Sequence, residues 1–209
     1  MKPPSAPVGR PRSGTRRLPA ATAREEILDA AAELFARHGY AATSTRQIAE
    51  SVGIRQASLY YHFASKEQIL AELLEATVRP SLDYAAELGR QGLTPAAALY
   101  ALATYDVGVL LTARWNVGIL YALPEVAAEP FTRFRTEREL LRQVYRDLAA
   151  AADPTADRQI TGDLVFGLVE SVIGMRRDLD AAPPPPTLQR AVAEAVLRLV
   201  GATPPDSGS

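Results

Sequence analysis

The chain has 209 residues, of which 47% are apolar and 22% charged, and its formal net charge is −1. That is a globular composition with enough chain for one or two domains and a sizeable core. Cysteine is absent and histidine occurs only at His38 and His62, which excludes disulfides, thiolate zinc sites and a cysteine nucleophile; no metal and no cofactor are expected.

The N-terminus has no apolar signal region, and no apolar run is expected to reach the ~18 residues of a bilayer span. A cytoplasmic protein is the expectation. The small net charge hides an asymmetry: residues 1–66 carry +5 and residues 67–209 carry −6. A polyanion belongs at the basic end.

Residues 1–20 hold Pro, Gly, Ser and five basic residues but no acid, the composition of a disordered arm. From residue 22 the apolar spacing is helical. "TARE" makes Thr22 an N-cap with Glu25 closing a capping box, and Ile27, Leu28, Ala31, Leu34 and Phe35 form one stripe that Gly39 ends. Ser44 and Gln47 open a second, short helix that stops at Gly53. Ser65 and Gln68 open a third box and a long helix from Lys66, which Pro80 should kink or end. Thr94-Pro95 starts a nearly all-apolar helix to about Thr112. A short segment around Trp115 to Leu123 follows, stopped by Pro124. Glu129-Pro130 opens an Arg-rich helix to about Ala152, and Asp153-Pro154 another to about Leu179. The four prolines at 183–186 read as a stiff spacer, and a last helix runs from Thr187 to Val200 before Gly201. The fold class is all-α, with about nine helices. The domains expected are a basic arm over 1–20, a small helical head over 21–66, a helical body over 67–201 and a frayed tail over 202–209.

The stretch "TSTRQIAESVGIRQASLYYHFASKEQIL", residues 43 to 70, asks for more than packing. Two short helices flank Gly53, the spacing of a helix-turn-helix. Ile48, Ala49, Val52, Ile54 and Leu59 would bury against Leu34 and Phe35. Arg55, Gln56, Ser58, Tyr60 and Tyr61 would then face outward. Gln can pair adenine, Arg can pair guanine and Ser can serve either. Tyr hydroxyls and Lys66 suit phosphates, and a helix fits the major groove.

With "AAELFARHGYAAT" before it, this block resembles the N-terminal domain of TetR-type (tetracycline-repressor-like) transcriptional regulators. The resemblance covers about residues 22–75. It implies a homodimeric regulator, most simply a repressor, that binds a palindromic DNA operator and is released by a small apolar or aromatic effector. By position it implies that Arg46 reaches a base or phosphate and Thr45 a phosphate. Gln56 and Ser58 would read base edges, and Tyr60, Tyr61 and Lys66 would grip the backbone. The sequence departs from the pattern at Arg55, where small capping residues are frequent, and at Ala57, which could pack only against a thymine methyl. His62 is expected to pack rather than ligate. In the arm, Gly-Arg-Pro-Arg resembles the core of an AT-hook, although a solvated tail accounts for it as well. Arg10, Arg12, Arg16 and Arg17 would add phosphate contacts in either case.

In the body, Asp106 falls on an apolar stripe with Leu99, Leu102, Val109 and Leu110. A buried carboxylate needs a partner or a proton, and Arg114, Tyr100, Tyr105 and Asn116 are the nearby candidates. Tyr84, Trp115, Tyr121, Phe131 and Phe134 are candidate walls of an effector pocket; plain core packing explains the same aromatics. Gly167, Ser171 and Gly174 share one face with Ile160 and Leu164. With Leu188, Val192, Val196 and Leu199 they would form a four-helix dimer interface, or else pack within one subunit. Two alternatives differ in class: an effector-free architectural DNA-binding protein, and an all-α enzyme around Asp106 and Arg114. No Ser-His-Asp grouping, phosphate loop or metal motif supports the enzyme.

Overall fold

The computed structural model describes residues 22–178 and 185–203. The basic arm, Pro183 and Pro184 of the proline run, and most of the tail lie outside them. Among the described residues there are eight α-helices, three short 3₁₀ segments and no strand. The chain divides into two compact units, 1–66 and 67–209.

The first unit holds α1 (Ala23–His38), α2 (Thr45–Val52) and α3 (Gln56–His62). The first two of the three capping boxes that the sequence spells out are formed here. Thr22 accepts from Glu25 N–H and Glu25 returns to the Thr22 N–H at 2.6 Å. Ser44 and Gln47 do the same at 3.2 and 2.8 Å. Each box satisfies two backbone donors that a helix start otherwise leaves open. Ile27, Ala31, Phe35, Ile48, Ala49, Leu59 and Phe63 are buried, while Val52 and Ile54 are half-buried.

The second unit contains nearly all of α4 (Lys66–Leu88), then α5 (Pro95–Thr112), the 3₁₀ turns between Val117 and Phe131, α6 (Thr132–Ala152), α7 (Arg158–Asp178) and α8 (Pro185–Leu199). Helix α5 packs on α8, α6 on α7, and α5 also meets α6 and α7. The α6–α7 pair is antiparallel and tightly stapled. Arg138 forks onto Glu170 in α7, its Nε donating at 2.7 Å, and two turns further along Arg146 donates to both oxygens of Asp163 at 2.9 and 3.0 Å. Gly162, next to Asp163, faces α6 so closely that a Cβ there would come 2.5 Å from the Arg146 Cα. Only glycine admits that approach of two helix backbones.

Several boundaries differ from the sequence reading. Helix α4 continues through Pro80 to Leu88. Proline removes one N–H, but Ser81 and Leu88 beyond it are buried, and that packing outweighs one missing backbone bond. Helix α7 begins at Arg158, not at Asp153-Pro154. Asp153 instead ends α6 and accepts from the Thr155 N–H and hydroxyl, while Asp157 caps α7 by accepting from Ile160 N–H at 2.7 Å. Helix α5, with 18 residues and mean hydropathy 1.3, is long and apolar enough to cross a bilayer by length and composition, against the expectation that no segment is. A central core helix needs the same composition: Leu99, Leu102, Ala103 and Val107 are fully buried inside the chain.

Candidate nucleic-acid interface and body groove

Helix α2 ends because Gly53 adopts the left-handed conformation at φ 70° and ψ 31°. Its N–H and that of Ile54 close on the carbonyls of Ala49 and Glu50 at 3.0–3.1 Å. A side chain at this φ would be strained, so the sharp turn from α2 into α3 depends on this glycine. Leu59 is the one fully buried residue of α3. With it pointing inward, Arg55, Gln56, Ala57, Ser58, Tyr60 and Tyr61 are all exposed, Tyr61 to 88%. His62 sets its ring edge-on to Tyr61 at 5.4 Å.

The exposed groups are pre-arranged. Gln56 Nε2 donates to Thr45 Oγ1 at 2.9 Å, and the same oxygen lies 3.1 Å from the Tyr60 hydroxyl. Three of the DNA-facing candidates thus form one hydrogen-bonded row across the α2–α3 angle, with Gln56 Oε1 still available as an acceptor. Arg46 is paired with Glu50 at 2.8 Å, both well exposed, so the pair can open at little cost. Lys66 behaves differently from a free backbone clamp. Its ammonium donates to the Tyr40 and Thr43 carbonyls at 2.9 Å each and sits 4.1 Å over the Tyr40 ring. Two of its three donors hold the α1–α2 loop, which leaves one for a phosphate.

In the body, a groove of about 640 Å³ is lined by Tyr84, Tyr100, Thr104, Tyr105, Gly108 and Gln189, among others. The Tyr84 and Tyr105 rings stack at 4.2 Å between centroids. Of the ten residues that the sequence suggested for an effector pocket, Tyr84, Tyr100 and Tyr105 meet here. The other seven, Asp106, Arg114, Trp115, Asn116, Tyr121, Phe131 and Phe134, do not line it. Phe131 and Phe134 are core. Asn116 spends its Nδ2 on the Ile173 carbonyl at 3.0 Å, and Arg114 lies against the Trp115 ring. Tyr121 hydrogen-bonds the Thr77 hydroxyl beneath α4 and packs 5.1 Å from Phe134.

Asp106 is buried, as its place on the stripe implied, but its partners are none of those suggested. Ser81 of α4 donates to Oδ1 at 2.9 Å and Tyr145 of α6 donates to Oδ2 at 3.0 Å. The carboxyl therefore ties three helices together. Burial pushes its pKa up to about 6, against the downward pull of those two hydrogen bonds, and the nearby Glu170 adds a little. Burial likewise raises the Tyr145 phenol, and the Asp106 charge adds to it. Ser81, Tyr145, Gly108 and Gln189 were not singled out by sequence reasoning.

The dimer stripe divides as well. Ile160, Leu164 and Leu199 are exposed, Gly167 is open to solvent, and no atom lies near a Cβ built on Gly167 or Gly174. Leu188, Val192 and Val196 are instead buried within the single chain, because this face of α8 covers α5; they are core and not free surface.

An exposed reading helix after a glycine turn, on a three-helix head attached to an all-helical body, defines a helix-turn-helix DNA-binding protein. Residues 27–73 match the family model of bacterial regulatory proteins of the tetR family. Over most of its length the chain is similar to the crystal structure of Mycobacterium smegmatis AmtR, at 47% identity and a TM-score of 0.85, covering 91% of this chain and 92% of that one. The chain belongs to the tetR family of transcriptional regulators, whose members are not enzymes. It is also 43% identical over 81 residues to the HTH-type transcriptional repressor KstR2 of Rhodococcus jostii, a match spanning 39% of this chain and 40% of that repressor. The ketosteroid transcriptional regulator KstR2 of Mycobacterium tuberculosis shares the fold at a TM-score of 0.71 and 22% identity, over 86% and 94% of the two chains.

Proposed function

We propose that this regulator is a cytoplasmic homodimeric repressor that leaves a palindromic operator when a small effector binds its body. The observation that carries the reading is the outward row that joins Thr45 of α2 to Gln56 and Tyr60 of α3, a helix whose only fully buried residue is Leu59. Gln56, Ser58, Arg55 and the Ala57 methyl meet base edges, while Thr45, Arg46, Tyr60, Tyr61 and the third donor of Lys66 meet phosphates or bases. The stripe of Ile160, Leu164, Gly167, Ser171 and Gly174, with Leu199, supports two-fold pairing through α7 and α8. A dimer then addresses two half-sites about one helical turn apart or a multiple of it.

The effector acts only through its preference between two body conformations. Weakening DNA binding a hundredfold takes about 2.7 kcal/mol of preference. The test is fluorescence anisotropy against the DNA upstream of the chain's own gene, with a scrambled duplex and Gln56→Ala as controls, followed by site selection from random DNA. The reading expects a selected palindrome bound far more tightly than the scrambled duplex, and loss of that preference in Gln56→Ala. Selection that yields no consensus would leave an architectural binder as the better account.

A further inference from the structure

The body presents two chemically different places, and only one has unclaimed groups. Around Asp106 both carboxylate oxygens are already satisfied by Ser81 and Tyr145. The groove on α4, α5 and α8 is the opposite case. The hydroxyls of Tyr84, Tyr100 and Tyr105 and the amide of Gln189 make no hydrogen bond among the described residues. Thr104 donates to the Tyr100 carbonyl at 2.8 Å, which leaves its oxygen able to accept. No Lys, Arg, Asp or Glu is among the described residues lining the groove. Its volume of about 640 Å³ is that of a small-molecule site.

Shape and chemistry narrow the occupant. The stacked Tyr84 and Tyr105 rings, 4.2 Å apart and 20° from parallel, offer a flat wall that favours a planar partner. Gly108 sits opposite Gln189 so closely that a Cβ there would lie 2.2 Å from Gln189 Nε2. The glycine lets the amide of α8 reach the surface of α5. An amide offers one acceptor and two donors, which complements a carbonyl, lactam or carboxamide edge. Among the described residues no charged side chain lines the groove to pair with an ionic group, which therefore gains less here than it has in water.

We infer that this groove is the effector site, and that it takes an uncharged, planar ligand with an amide-like or carbonyl edge hydrogen-bonded to Gln189 and the tyrosine hydroxyls. The inference rests on the reading of the body as a sensor.

The test uses the full chain and three matched probes: 2-naphthamide, the anionic 2-naphthoate and the cationic 2-naphthylmethylammonium. Ligand-observed NMR titrations are expected to show saturable binding of 2-naphthamide at about 1 mM or tighter, in keeping with a fragment of its size, and at least tenfold weaker binding of both ions. Tyr105→Phe and Gln189→Ala should each weaken the amide roughly three- to tenfold, the worth of one hydrogen bond. Gly108→Ala, which displaces the Gln189 amide, should do the same. Tyr105→Phe removes one oxygen and keeps the stack, so it remains informative if Gly108→Ala fails to fold. Equal binding of all three probes overturns the assignment, as does binding indifferent to every variant. Absence of saturable binding, as when a second copy of the chain covers the groove, overturns it too. Anisotropy on the selected DNA separates the two readings. Probe bound in the groove without any change in DNA affinity keeps the site and removes the sensor. Probe-induced release that persists in Gln189→Ala and Tyr105→Phe keeps the sensor and removes the site.

Discussion

Replacing Asp106 by Asn should stabilise the protein at neutral pH, although it removes a charge that receives two hydrogen bonds. The folded carboxyl has its pKa raised from 3.8 to about 6, chiefly by burial. The folded chain therefore holds more protons than the unfolded chain between about pH 4 and 6, and stability falls as pH rises through that window. The contribution is fully present below the unfolded value and is lost above about 6. The gap from 3.8 to about 6 corresponds to about 3 kcal/mol. Asn is nearly isosteric and carries no charge. Its oxygen can accept from Tyr145, while its Nδ2 meets the Ser81 oxygen once that hydroxyl turns to a carbonyl of its own helix. That figure already includes the two hydrogen bonds to the carboxylate, so what Asn forfeits is the fit of a protonated carboxyl to Ser81 and Tyr145, about 1–2 kcal/mol. The expected net gain at pH 7.5 is thus about 1–2 kcal/mol, a rise of roughly 2–8 °C in Tm for a chain of this size. Thermal melts of DNA-free protein at one fixed concentration, from pH 4.5 to 8, would measure it. The advantage of Asp106→Asn should shrink steadily on acidification. A variant less stable than the parent at pH 7.5, or an advantage that grows toward pH 4.5, would refute the reasoning.

Tyr145→Phe leaves the buried carboxylate with one donor, so it should cost about 1.5–3 kcal/mol at pH 7.5 and clearly less at pH 5, measured by the same melts. Gly162→Ala places a methyl 2.5 Å from the Arg146 Cα, and forcing α6 and α7 apart should cost about 1–3 kcal/mol in urea unfolding. Leu164→Asp puts like charges on the exposed α7 stripe of both copies and should shift sedimentation toward the monomer without lowering helicity by circular dichroism. Tyr60→Phe breaks the bond to Thr45 and should weaken DNA binding roughly three- to tenfold, with less than about 1 kcal/mol change in stability.

What the sequence made legible was what depends on neighbours in the chain. A capping box needs two residues three apart, so Thr22 with Glu25 and Ser44 with Gln47 could be read directly, and the left-handed turn at Gly53 likewise. The head was therefore readable almost residue by residue. Even there the local rule assigned Lys66 to a phosphate without foreseeing the Tyr40 and Thr43 carbonyls that hold it. The same locality misled at Asp153-Pro154. An aspartate followed by proline suits a helix start, but Asp153 closes a turn on Thr155 and Asp157 does the capping. Pro80 misled in the other direction, because a propensity near the helix centre yields to the burial of what lies beyond it.

The body was legible only as an inventory. Periodicity identified Asp106 as a lone carboxylate on an apolar face, and physics required a partner, but the partners lie on α4 and α6 and no local pattern points to Ser81 or Tyr145. The groove has the same character: three of its tyrosines were among the residues suggested, while Gln189 comes from the last helix, and a glycine inside the apolar α5 is its only local trace. Helix α8 shows why the remainder was ambiguous. Leu188, Val192 and Val196 repeat every four residues, and that stripe has the same form whether it faces α5 of its own chain or a second copy. The register of α8 on α5 resolves it, and that register depends in part on Gly108, whose missing side chain lets Gln189 come close. The residue that opens the groove to an amide is thus also one that lets α8 sit close to α5. Substitution at Gly108 should therefore move ligand affinity and Tm together, whereas Tyr105→Phe should move ligand affinity alone.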